Sequence, residues 1–241
     1  FVHIHYDDWV GLYNYIQYPC ACTSHFGYLE REEMFNGYVN IANAFAQIKP
    51  RIFCLSEGIK KVYSVLMNIP KEKLFISPNG VNTSAFRSTD APHHADRSIY
   101  LAKVDYRKRQ HLFQSIDSLY YAGNIADERF DKEKNYLGEW SKEFLYNNLT
   151  EYGNLVLLSD GEAHPLVCME AFAAGLGVVV TEWGKANLDV DKKFITVIPE
   201  KHIGDIEFLE YEIVKNREYS INHREEILEY SEKFDWINVV R

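Results

Sequence analysis

The most constraining feature of this chain is the order of elements between Asn154 and Thr181. Asn154–Ser159 is short, apolar and rich in Val and Leu, so it reads as a buried strand running into a loop of Asp, Gly and Glu. Pro165 stands where a first helical residue tolerates proline, and Leu166, Met169, Ala173 and Ala174 recur at helical spacing. Gly175 follows the last apolar residue and is expected to stop the helix. Gly177–Thr181 is a second apolar strand. A strand, a short helix and another strand in this order require a parallel sheet with a right-handed crossover.

The same alternation runs along the chain. Strands are expected over Val2–His5, Cys20–Ser24, Ile52–Ser56 and Leu74–Ser77, with helical character over Trp9–Tyr18, Glu33–Ala46 and Glu57–Met67. After a polar linker, Asn79–Asp96, strands are expected over Ser98–Lys103, Asn135–Gly138, Asn154–Leu158, Gly177–Thr181 and Phe194–Ile198. Helices over His111–Ala122, Ser141–Tyr152 and Pro165–Gly175 separate the first four of these. Two more, Ile206–Arg217 and His223–Phe234, carry no site motif and are expected to pack and close the domain. The pattern gives two parallel α/β sheets, whose ligands bind beyond the strand C-termini.

The start of the Pro165–Gly175 helix leaves backbone N–H groups unpaired, chiefly those of Leu166 and Val167. With the helix dipole they attract an anion such as a diphosphate. Glu162 lies in the loop at the same mouth, and Glu170 more than a turn into the helix. Carboxylates accept hydrogen bonds from hydroxyls, so one can hold a sugar ring and the other a ribose diol. The plain alternative is a loop carboxylate and a satisfied helix residue.

This stretch, E-x7-E followed by EAFAAG, resembles the donor-site signature of retaining glycosyltransferases of family 4. SPNGVNTSAF, Ser77–Phe86, is similar to that family's interdomain PNGVD segment. YLAKVDYRKRQHL, Tyr100–Leu112, resembles its GRLxxxKG segment, with Lys103 and Lys108 at the spacing of two phosphate-binding cations. VHIH at Val2–His5 and TSH at Thr23–His25 resemble strand ends of the acceptor-side domain, and FDWINVVR resembles a closing segment that crosses back onto it. The resemblance implies an α/β, GT-B-like fold: two Rossmann-like parallel-sheet domains facing a cleft, the N-terminal one incomplete. The implied division is 1–78 acceptor side, 79–96 linker, 97–233 donor side and 234–241 crossing segment.

It further implies transfer of a hexose from a nucleoside-diphosphate sugar, a UDP- or GDP-sugar among the candidates, to a carbohydrate, lipid-linked or protein acceptor hydroxyl. Anomeric configuration is retained, and neither metal nor cofactor is needed. Lys103, Lys108 and the Leu166 and Val167 amides would stabilise the leaving diphosphate. Glu162 would orient sugar hydroxyls, Glu170 would hold the ribose, and His164 and Gly138 would contact the donor. His25 would reach the donor sugar from the facing domain, its alternative being an ordinary strand-end histidine. His5 and Asp8 are acceptor-side candidates. Departures from the family pattern are Ala102 and Lys103 for Gly-Arg, and Pro165, which lacks an N–H.

Composition fits this reading. With 241 residues and 46% hydrophobic content, the chain has material for two cores. A net charge of −9 argues against a nucleic-acid partner, the run Arg107–Lys108–Arg109 being only local. No apolar run reaches the roughly 18 residues of a membrane span. A cytoplasmic location is expected, peripheral contact with a membrane face stays compatible, and the oligomeric state is open. The chain opens on a strand-like FVHIH, from which a preceding segment is expected. The four cysteines read as core residues rather than a disulfide or zinc framework.

Three rivals are weighed against this. Paired carboxylates of a glycoside hydrolase lie roughly 5 to 9.5 Å apart. Eight helical positions span roughly 12 Å, so Glu162 and Glu170 suit that chemistry poorly. A noncatalytic nucleotide-sugar-binding or scaffold protein of the same fold is the stronger rival. A sugar-nucleotide epimerase is the third.

Overall fold

The computed structural model describes residues 1–5, 7–25 and 39–240. The chain divides into two compact units, Phe1–Asn79 with Gly161–His164, and Gly80–Asp160 with Pro165–Arg241.

The first unit is a four-stranded parallel sheet in the order β1 (Val2–Ile4), β2 (Cys20–Ser24), β3 (Ile52–Cys54) and β4 (Leu74–Ile76). A 3-10 segment, Asp7–Tyr15, replaces the expected helix after β1. Helix α1 is Val39–Ile48; residues 33–38 of the helix expected there lie outside the described residues. Helix α2, Glu57–Val65, starts where the Ser56 hydroxyl accepts the Ile59 N–H at 3.2 Å, an N-cap that also ends β3 before Ser56. Phe45, Ile52, Cys54, Ile59 and Tyr63 form its core.

The second unit is a five-stranded parallel sheet, ordered β6 (Leu119–Ala122), β5 (His94–Leu101), β7 (Tyr152–Leu157), β8 (Gly177–Thr181) and β9 (Ile195–Ile198). Helices α3 (Lys142–Asn148), α4 (Leu166–Ala173), α5 (Ile206–Asn222), α6 (Arg224–Ser231) and α7 (Trp236–Val239) complete it. Helix α4 begins one residue later than expected, because Pro165 takes the cap position with extended backbone. It ends as expected. Gly175 is left-handed (φ 78°), and the Leu176 and Gly175 N–H groups return to Ala171 and Phe172 carbonyls at 2.8 and 2.9 Å.

Buried polar side chains staple α5 and α6 to this sheet. Asn216 donates to the carbonyls of Val178 and Phe194 and accepts from Asn154. Arg224, 5% exposed, donates to the Thr150 and Tyr152 carbonyls at 2.7 and 2.6 Å.

Three further expectations are corrected in the second unit. His111–Ala122 is not a helix: Gln110–Leu112 is a 3-10 turn, and Leu119–Ala122 is an edge strand beside β5. Its apolar spacing arises because Phe113, Ile116, Leu119 and Tyr121 all reach the core from a turn and a strand. The strand expected over Asn135–Gly138 shrinks to a bridge between Tyr121 and Tyr136, since Asn135 (φ 52°) and Gly138 (φ 84°) are left-handed on either side. The linker is shorter than 79–96, as β5 already begins at His94.

The closing segment lies within the second unit, where Val81 bridges Asp235 and the Thr83 hydroxyl donates to Asp235 at 2.6 Å. Among the described residues no helix is long and apolar enough to cross a membrane.

Candidate functional site

The chain leaves β5 for β6 on one side and returns as β7 on the other, so β5 and β7 flank the topological switch point of the second sheet. Open α/β sheets bind ligands beyond the strand ends at that point. The loop after β5 carries Lys103 and Lys108, and the loop after β7 leads to α4. The two loops are joined by the Asp160 N–H on the Arg107 carbonyl at 2.9 Å.

The stretch after β5 is tightly folded. Tyr100 donates its hydroxyl to the Lys108 carbonyl at 2.6 Å, and the Lys108 N–H donates to Asp105 Oδ1 at 2.9 Å. Lys108 is buried, whereas Lys103 is exposed, with its carbonyl taken by Gln110 Nε2 at 3.0 Å. Arg109, which the sequence treats as part of a solvated basic run, is instead a clamp. Its left-handed backbone (φ 58°) turns the guanidinium onto Glu200 Oε1 at 2.5 Å and the Leu158 carbonyl at 3.2 Å, with Asp160 at 3.6 Å. Because the Glu200 N–H donates to Glu182 at 2.7 Å, the ends of four strands are tied into one rim.

Helix α4 has no side-chain cap, and in its first turn the Cys168 N–H returns to the Pro165 carbonyl at 3.1 Å. Among the described residues no acceptor takes the Leu166 or Val167 N–H, which is the arrangement an anion requires. Leu166 is exposed and Val167 half-buried. Glu170 is buried on this helix and ion-paired with Lys142, the first residue of α3. Gly138 sits on the same rim, its carbonyl accepting the Gly123 N–H at 3.0 Å at the end of β6.

Glu162 and His164 fall in the Gly161–His164 loop, which groups with the first unit. Glu162 is half-buried. His164 is anchored twice on Asn79: its Nδ1 accepts the Asn79 N–H at 3.0 Å and its carbonyl accepts from Asn79 Nδ2 at 3.2 Å. Burial pushes its imidazole down to about 4, so the ring is neutral and its proton sits on Nε2.

His5 and His25 stand just past the ends of β1 and β2, with ring centroids 5.9 Å apart. Burial, and then the charge of His5, hold His25 below the usual histidine range. His3, not singled out by the sequence, completes the group: its ring lies 3.9 Å from His5 and its Nε2 is 2.6 Å from Thr23 Oγ1. Asp8 is exposed, while Asp7 accepts from Ser24, which in turn accepts from Tyr63 at 2.8 Å. Among the described residues no group of three ligating side chains is placed to hold a metal ion.

Residues missed from sequence are therefore Lys142, Arg109, His3 and Asp7. For His3 the signal was its i, i+2 spacing to His5, which puts both on one strand face. Nothing local marks Lys142 as the partner of Glu170.

No protein-family model matches the chain, and no curated protein matches it in sequence. Solved structures do. Sucrose-phosphate synthase from Thermosynechococcus elongatus is similar over 99% of this chain and 70% of its own, with a TM-score of 0.74 and 17% identity. Anabaena HepE, in complex with UDP-glucose, is similar over 99% and 76%, with a TM-score of 0.74 and 11% identity. WaaG, a glycosyltransferase involved in lipopolysaccharide biosynthesis, is similar over 92% and 75%, with a TM-score of 0.67 and 12% identity. The chain shares the fold of the GT-B glycosyltransferases.

Proposed function

We propose that the protein is a retaining hexosyltransferase that moves a hexose from a nucleoside-diphosphate sugar to an acceptor hydroxyl. The observation that carries this reading is the switch point of the second sheet, where two lysines follow β5 and an uncapped helix start follows β7. Both features suit a pyrophosphate, and both stand on sequence that resembles the family 4 donor signature.

The charge logic follows from the bond that breaks. As the sugar C1–O bond to the diphosphate opens, its electron pair goes to the leaving oxygen and positive charge grows on the ring. Lys103, Lys108 and the Leu166 and Val167 amides stabilise the leaving group by preorganised electrostatics. Glu162 orients sugar hydroxyls and Glu170 holds the ribose, with His164 and Gly138 as further donor contacts. The acceptor oxygen bonds to C1 as its hydroxyl proton passes to the leaving diphosphate oxygen, and His25 attends the sugar, with His5 and Asp8 on the acceptor side. Cationic side chains and amides do the neutralising, so the reaction is assigned no metal.

A thermal-shift screen against UDP, GDP, ADP and their sugars tests the donor class. A ligand at 100 times its dissociation constant stabilises by about 2.7 kcal/mol. Transfer to a carbohydrate or lipid-linked acceptor, followed by reading the anomeric configuration of the product by NMR, tests the rest. An inverted product overturns the retaining assignment, and donor binding without transfer or hydrolysis favours the noncatalytic binder.

A further inference from the structure

A carboxylate on the buried side of a helix needs a counter-charge. Glu170 keeps only 10% of its side-chain surface and finds that charge in Lys142, whose own side chain stays 67% exposed. The pair is thus a buried anion with a wet cation. An ammonium carries three N–H donors on a rotatable head. One is used on Glu170 Oε1, and no other described residue engages Lys142.

The backbone beneath Lys142 is fixed. The Ser141 hydroxyl caps α3 by accepting the Phe144 N–H at 3.1 Å, and the Trp140 ring packs 5.1 Å from Phe144 and 5.9 Å from Tyr152. Gly138, on the strand-end rim, lies just upstream on the same connection. The ammonium is therefore held in place at its root by packing and at its tip by Glu170.

We infer that Lys142 is a third cation of the donor site: Glu170 aims its ammonium, and the two remaining N–H donors meet phosphate oxygens next to the ribose of a nucleoside diphosphate. The assignment rests on the reading of the second unit as a nucleotide-sugar site, and adds a residue that the glutamate signature does not contain. Phosphate is the expected contact because a charge-assisted bond from a wet ammonium gains more from an anion than from a neutral hydroxyl.

Calorimetric titration of the whole chain with UDP, GDP and ADP and with the matching nucleosides tests this. Lys142→Met should weaken the preferred diphosphate about tenfold, a loss of about 1.4 kcal/mol, and leave the nucleoside within about twofold. Lys142→Arg should retain most of the affinity. Since Lys142→Met strands a buried carboxylate, Glu170→Gln and the double variant Glu170→Gln/Lys142→Met are compared as well.

The double variant should bind the diphosphate about fivefold more weakly than Glu170→Gln alone, because the phosphate contact is then the only difference. Equal affinities would mean that Lys142 merely neutralises Glu170, and would overturn the inference while leaving the donor site standing. If the wild-type chain binds none of the three diphosphates, the inference and the functional reading fall together.

Discussion

The two sheets share a parallel layout and differ in how they are finished. In the second unit the sheet interior is dry, with Ile99, Leu155, Val156 and Val179 at 0% exposure, and polar staples from Asn216 and Arg224 sit beneath it. Its strand ends are locked by Arg109 and Glu200. In the first unit three of the four strands have three residues each, and the His3, His5 and His25 rings at β1 and β2 lie tilted against one another, 3.9 and 5.9 Å apart in turn. One unit anchors a guanidinium, that of Arg109, among its strand ends, while the other gathers imidazoles, whose charge depends on the proton.

The comparison can be broken first at the dry core. Phe172 is fully buried against Phe194, Tyr230 and Phe234, and Phe172→Ala should cost about 3–5 kcal/mol in urea unfolding. A loss below about 1 kcal/mol would show that this unit is no better packed than its neighbour.

The next effect belongs to the first unit and is a pH effect. His164 stands at about 4 when folded against 6.5 ordinarily, so the unfolded chain takes the proton first. Stability should be full above about pH 6.5 and decline as pH falls towards 4, by at most about 3 kcal/mol. Urea midpoints across that window measure it, and His164→Gln should flatten the slope. An unchanged slope in the variant would remove His164 as its source.

Glu162→Ala sharpens the functional side of the contrast. Transfer should drop about a hundredfold with an unchanged melting temperature, whereas full activity would take Glu162 out of the site. The smallest effect is Gly175→Ala. It places a Cβ on a left-handed residue (φ 78°) and should cost about 1 kcal/mol by thermal melting.

Much of this frame is readable from residue order. Eight of the nine strands among the described residues overlap expected ones, most plainly β7 and β8, where fully buried parallel strands carry runs of Val and Leu rather than an alternation. The ninth, Leu119–Ala122, hides inside helical spacing: Phe113, Ile116 and Leu119 repeat every third residue whether they lie on a helix or on a turn leading to a strand. Residue order also puts Lys103, Lys108 and the start of α4 at strand ends. It is blind to side-chain pairing across the fold. Arg109 with Glu200 and Lys142 with Glu170 depend on which loops meet, and the Asn79 anchor on His164 joins residues far apart in sequence.

The cysteines have a practical consequence. All four thiols are buried, and burial pushes those of Cys22 and Cys54 up to about 12, where a thiolate is scarce at neutral pH. A single cysteine introduced on an exposed position would then be the fastest-reacting sulfur in the molecule. Maleimide dyes or spin labels could be attached there without first deleting the native residues, so distance measurements could be made on an otherwise wild-type chain.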